Sequence, residues 1–125
     1  MYLKKLSLIN FKNIREENLE FRPGINCFVG DNGAGKTNVI DAVYFLSMCK
    51  SSLAMTDGQS MRHGSDFFLL DGQYLTDGGR SESVVCAFAR KGGKTLKRNG
   101  KEYERLSDHV GLIPVAVSYT HLRAH

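Results

Sequence analysis

The 125-residue sequence has no CxxC pair, no continuous apolar run near its start, no internal repeat and no extreme of charge. Its three cysteines, Cys27, Cys49 and Cys86, are far apart, each in an apolar or amphipathic stretch where a thiol packs as a small hydrophobe. That spacing argues against a disulfide framework and predicts reduced, structural cysteines in a cytosolic protein. The opening MYLKKLSLINF alternates apolar and polar residues, which excludes a signal peptide or a membrane span there and predicts a soluble, intracellular chain. A formal charge of +4, from 17 basic and 13 acidic residues, is compatible with an anionic partner but is far from a histone-like composition. The length allows one domain or a piece of one, and 42% hydrophobic residues suffice for a modest core.

What is present begins with short strands. Leu3 to Phe11 alternates, a second short strand places Leu19 and Phe21 on one face, and Arg22-Pro23-Gly24 supplies a turn. Ile25 to Val29 reads as an apolar strand ending abruptly at Gly30, and Val39, Ile40, Val43 and Leu46 recur at helical spacing from Lys36 to about Cys49. Residues 50–66 show no period and read as an ordered connection. Phe67 to Thr76 and Glu82 to Arg90 form a predicted hairpin through Asp77-Gly78-Gly79. A second hairpin, Lys94 to Arg98 with Lys101 to Tyr103, turns at Asn99-Gly100. A brief helix over Glu104 to Val110, closed by Gly111, precedes a last strand at Ile113 to Val115.

The sharpest signal is Gly30-Asp31-Asn32-Gly33-Ala34-Gly35-Lys36-Thr37, which satisfies G-x-x-x-x-G-K-[ST], the Walker A or P-loop pattern, between a predicted strand and helix. Glycines let the backbone curl around a phosphate with several N–H groups pointing inward, and the helix aims its positive end at the same place. In this pattern Lys36 reaches the β and γ phosphates and the Thr37 hydroxyl ligates Mg²⁺. The expected ligands are a nucleoside triphosphate and Mg²⁺.

LSLINFKNI, GINCFVGDNGAGKTNVIDAVYFLS, SMRHGSDFFLLDGQY and LSDHVGLIPV, in that order, resemble the N-terminal part of the RecF family of bacterial DNA replication, recombination and repair proteins, over residues 1 to about 116. The resemblance implies an α/β fold, a P-loop NTPase that forms the first lobe of an ABC/SMC-type ATPase head with antiparallel hairpins, here truncated. It implies ATP held in an ATP-dependent homodimer between the loop of one subunit and the signature motif of the other. It further implies DNA bound at gaps or single-strand/double-strand junctions, RecO and RecR as partners in loading recombinase, and a role in the SOS response. The family's signature motif, Walker B acids and D-loop belong to its C-terminal part, so this stretch supplies one half of each sandwich and is expected to be inactive in hydrolysis. Lys12-Asn13 matches the family's basic residue followed by Asn, near the nucleotide in related heads. Arg62-His63 also fits a family pattern, as a contact to nucleotide or DNA. Each pair is otherwise an ordinary surface feature.

The stretch FFLLDG, residues 67–72, imitates a Walker B strand, but Asp71 is followed by Gly72 rather than glutamate and the segment runs on as a hairpin strand. A working Asp71 would favour a P-loop small-molecule kinase or GTPase-like enzyme instead. From Arg90 to Lys101 there are six basic residues and no acid; on a hairpin, Lys94, Lys97 and Arg98 can follow a phosphate backbone or simply protect an edge strand. The last nine residues, VSYTHLRAH at 117–125, resemble the translation of a transposase adapter used in sequencing libraries. The expectation is a native domain over 1–116 and a non-native tail over 117–125.

Overall fold

The structure, a computed structural model, describes residues 1–21 and 33–113, with residues 33–36 described in backbone only. The described strands are β1 (Tyr2–Phe11), β2 (Ile14–Glu20), β3 (Phe67–Leu75), β4 (Ser81–Ala89), β5 (Gly93–Arg98) and β6 (Lys101–Glu102). They form one sheet in the order β2-β1-β3-β4-β5-β6, with each neighbouring pair antiparallel. Helix α1 (Gly33–Met48) packs on one face, and α2 (Asp57–Ser60) is a single capped turn in the connection to β3.

Both predicted hairpins form. Asn99 and Gly100 have φ of 53° and 83°, the left-handed pair that a two-residue turn needs to match strand twist. In β1 the alternation is reset twice. A bulge between Leu3 and Lys5 lets Leu3 and Leu6 face the same core, and the left-handed Asn10 (φ 54°) turns Phe11 inward.

Phe11, Phe45 and Phe68 meet edge to face with ring centroids 5.4–6.0 Å apart, tying β1, α1 and β3 together. Helix α1 is buried nearly all round, including the polar Asp41 and Ser47. The sheet covers one side, and the 103–113 segment closes another through the Ser47 hydroxyl donating to Ile113 O at 2.7 Å and Gly111 N–H donating to Ser47 O.

Three expectations change. Helix α1 begins at Gly33, three residues before Lys36. The helix expected over Glu104 to Val110 is a 3₁₀ turn at Leu106–Asp108, because its N–H groups bond three residues back and Gly111 (φ 81°) turns the chain away. Ile113 belongs to no strand. The predicted strand Ile25–Val29 and the stretch 114–125 lie outside the described residues.

Candidate nucleotide site

Gly30, Asp31 and Asn32 lie outside the described residues. Gly33, Ala34, Gly35 and Lys36 form the first turn of α1, and Thr37 follows, exposed. The helix therefore starts inside the glycine motif. Among the described residues, it carries no acidic residue in its first turn.

The β1–β2 turn is laid against this helix. Lys12 adopts a left-handed conformation (φ 54°), and the neighbouring Asn13 Oδ1 accepts a 2.5 Å hydrogen bond from Asn38 Nδ2, one residue past Thr37. Lys12 Nζ lies 2.5 Å from Asp41 Oδ2 and 3.3 Å from Ser51 Oγ. The Lys12-Asn13 pair, picked from sequence alone, thus lies against α1 just past the glycine motif.

Asp41 was not picked from sequence. It is buried on α1, where Oδ2 accepts from Lys12 and from the Ser51 hydroxyl at 2.5 Å, and Oδ1 accepts from Ser52 N–H at 2.7 Å and the Ser52 hydroxyl at 2.6 Å. Burial pushes its pKa upward, but the bonds from Lys12, Ser51 and Ser52 outweigh it and hold the carboxyl below its ordinary value. An acid inside VIDAVYF, otherwise apolar around the helix, was the available signal.

Arg62-His63 joins the same end of the sheet. Lys12 N–H donates to Ser60 O at 2.6 Å, Arg62 N–H donates to Asn10 O at 2.8 Å, and Met61 bridges to Phe11. Sequence offered two separate pairs of residues, and the fold makes them neighbours.

The basic hairpin divides by strand periodicity. Lys94 and Arg98 share the helix-facing side of β5 with buried Leu96, whereas Lys97 points to the opposite side and is exposed. Lys94 Nζ donates to Cys49 O at 2.5 Å, pairs with Asp57 at 3.1 Å and lies 5.4 Å from the Phe45 ring centre. Arg98 pairs with Glu82 on β4. The continuous phosphate track read from Lys94, Lys97 and Arg98 is therefore not presented as one surface.

Asp71 is held mid-strand between β1 and β4, its Oδ1 accepting from Gln73 Nε2 at 2.8 Å. The neighbouring Gly72 is the residue that faces α1, where an added Cβ would fall 2.8 Å from Leu46 Cδ1. Asp71 consequently projects from the face opposite the helix and cannot serve the glycine loop as a Walker B acid.

A P-loop helix lying on an antiparallel sheet, with a basic turn beside its start, defines a nucleotide-binding ATPase lobe. The chain belongs to the AAA domain family, whose model matches residues 5–112. It is 51% identical over 117 residues to the DNA replication and repair protein RecF of Phocaeicola vulgatus and 47% identical to RecF of Flavobacterium johnsoniae, covering 94% of this chain and 32% of each relative. The chain thus spans about a third of the length of the curated relatives it matches. Among solved structures it resembles the recombination mediator protein RecF bound to ATP (TM-score 0.76, 27% identity, 83% of this chain and 28% of that chain). It also resembles the SMC head domain from Thermotoga maritima (TM-score 0.67, 28% identity, 86% and 40%). The RecF resemblance and the ABC/SMC-head fold class are both borne out.

Proposed function

We infer that this chain is the ATP-binding lobe of a RecF-like protein that binds DNA in an ATP-dependent way and helps load recombinase at gapped DNA in the cytoplasm. The observation that carries the reading is the Lys12-Asn13 turn held against α1, with Asn13 bonded to Asn38, which directly follows Thr37 of the glycine motif, and Lys12 paired with Asp41 further along the helix. The residues present suit ATP with Mg²⁺: a first helical turn without an acid among the described residues, Lys36 for the β and γ phosphates, and the exposed hydroxyl-bearing Thr37 for the metal. Bound Mg²⁺ would neutralise phosphate charge; the chain's own part is to cradle and orient the phosphates.

The curated relatives named RecF and the RecF–ATP structure support the class of ligand. RecO, RecR and an ATP-dependent homodimer are proposed as partners on the same likeness. No catalytic carboxylate is assigned here, since Asp71 lies on the wrong face, so the lobe is proposed to bind ATP without hydrolysing it at a catalysed rate. The same placement of Asp71 disfavours the small-molecule kinase or GTPase-like alternative.

Calorimetry with ATP on the parent chain and on Lys36→Ala tests the reading, the variant being expected to lose affinity severely. Thr37→Val should lose mainly the Mg²⁺-dependent part. Unchanged affinity in Lys36→Ala would remove the glycine loop from the site.

A further inference from the structure

Two surface turns, far apart in sequence, one half-buried at Arg62 and Ser65, are fastened together at the end of the sheet that also carries Lys12. One is Arg62-His63-Gly64-Ser65, closed by Ser65 N–H donating to Arg62 O at 3.0 Å. The other is the β4–β5 turn, Arg90-Lys91-Gly92, all three residues exposed. Arg90 N–H donates to Asp66 O at 3.1 Å and its side-chain Nε donates to Ser65 O at 3.4 Å, so the guanidinium lies over the first turn. Its two terminal nitrogens have no partner among the described residues. Lys91 and His63 are exposed and likewise unpaired among the described residues.

The charges on this platform are Arg62, Arg90 and Lys91, with His63 as a further donor, against Asp66, which directly follows the first turn. The next basic residue, Lys94, is spent on Asp57 and the Cys49 carbonyl and adds nothing to the surface. Phe67, immediately after Asp66 and paired in register with Ala89, is 44% exposed.

We propose that the Arg62–Ser65 and Arg90–Gly92 turns form one surface for the phosphodiester backbone of nucleic acid, with Arg90 and Lys91 as its principal phosphate contacts. Fixed guanidinium and ammonium groups in two tethered turns suit successive phosphates. A bond from Arg90 Nε to a backbone carbonyl pre-orders the guanidinium, leaving its outer edge for a bidentate phosphate contact. The contact carries no base information, so binding is insensitive to sequence and falls with salt. This inference rests on the DNA-binding reading above, but it moves the contact away from Lys94, Lys97 and Arg98.

The test is fluorescence anisotropy with a labelled gapped duplex, with ATP and Mg²⁺ present, over a series of salt concentrations. It compares the parent chain, R90A/K91A, the charge-keeping R90K/K91R, and K97A/K101A on the neighbouring hairpin. R90A/K91A should bind at least several-fold more weakly and reduce the salt slope by up to about 1.8, near 0.9 per lost phosphate contact. R90K/K91R should recover most of the affinity, and K97A/K101A should resemble the parent. A parent that binds DNA while R90A/K91A keeps its affinity and slope overturns the platform and leaves the DNA-binding reading intact. A parent that binds no DNA overturns both, while ATP calorimetry reports separately on the nucleotide site. Equal loss in K97A/K101A, or equal loss of binding to polyglutamate in R90A/K91A, would mean general charge or an acidic protein partner and would also overturn it.

Discussion

Lys12 and Asp41 meet at 2.5 Å, with their side chains only 13% and 1% exposed, and this pair fastens the β1–β2 turn to α1. Neither residue is placed by its local sequence. Lys12 reaches Asp41 from a left-handed backbone, and Asp41 is satisfied only because Ser51 and Ser52 return past the end of α1.

Removing one charge from such a pair leaves the other buried alone. Asp41→Asn is expected to destabilise the chain by about 3 kcal/mol or more, and the double change K12M/D41L by less than the sum of its two single changes. Urea unfolding of the parent, Asp41→Asn, K12M, D41L and K12M/D41L measures this. Because the folded Asp41 pKa is lowered, its contribution is present above the unfolded value of 3.8 and is lost as pH falls through the folded one. Additive single and double changes would show that the pair is not coupled.

His109 predicts a second, milder acid sensitivity. The ring is fully buried, its Nε2–H donates to Leu46 O at 2.7 Å, and Nδ1 lies 3.3 Å from the Tyr103 hydroxyl oxygen. Burial lowers its pKa, with the bond to Leu46 opposing and nearby Arg98 assisting. The unfolded chain therefore binds the proton first, and stability should fall as pH drops below the ordinary value of 6.5. The slope cannot exceed about 1.4 kcal/mol per pH unit, the limit for one proton. In His109→Gln the slope between pH 7.5 and 5.5 should flatten, read by thermal unfolding in matched buffers.

Gly72 is required by space rather than by backbone freedom. A Cβ there would stand 2.8 Å from Leu46 Cδ1 and 2.9 Å from Tyr74 Cε1. Gly72→Ala should cost about 1–3 kcal/mol through overpacking between β3 and α1. A denaturation midpoint equal to the parent's would show that Leu46 and Tyr74 yield freely.

The divided hairpin predicts divided behaviour. Lys94→Ala should lower stability by about 1.5–3 kcal/mol, since it removes charge-assisted bonds to Asp57 and Cys49 O, while Lys97→Ala should stay within about 0.5 kcal/mol of the parent. Chemical denaturation distinguishes the two residues, which in sequence look alike.

The sequence by itself determined the elements whose causes are local. The Asn99-Gly100 turn needs two left-handed residues, the 67–89 hairpin needs two strand runs around a glycine turn, and the glycine motif opens directly into α1. The Lys12-Asn13 and Arg62-His63 pairs were legible as residues to watch, though not as neighbours. Only tertiary structure decided which charges are available. Strand alternation turns Lys94 and Arg98 toward α1 and Asp71 away from it, and the antiparallel order β1-β3-β4-β5 brings Arg90 over Ser65 and Lys12 beside Asp41. Local pattern specifies how a segment folds. Which side chains end up paired depends on contacts between segments tens of residues apart, and one segment's pattern carries no record of them.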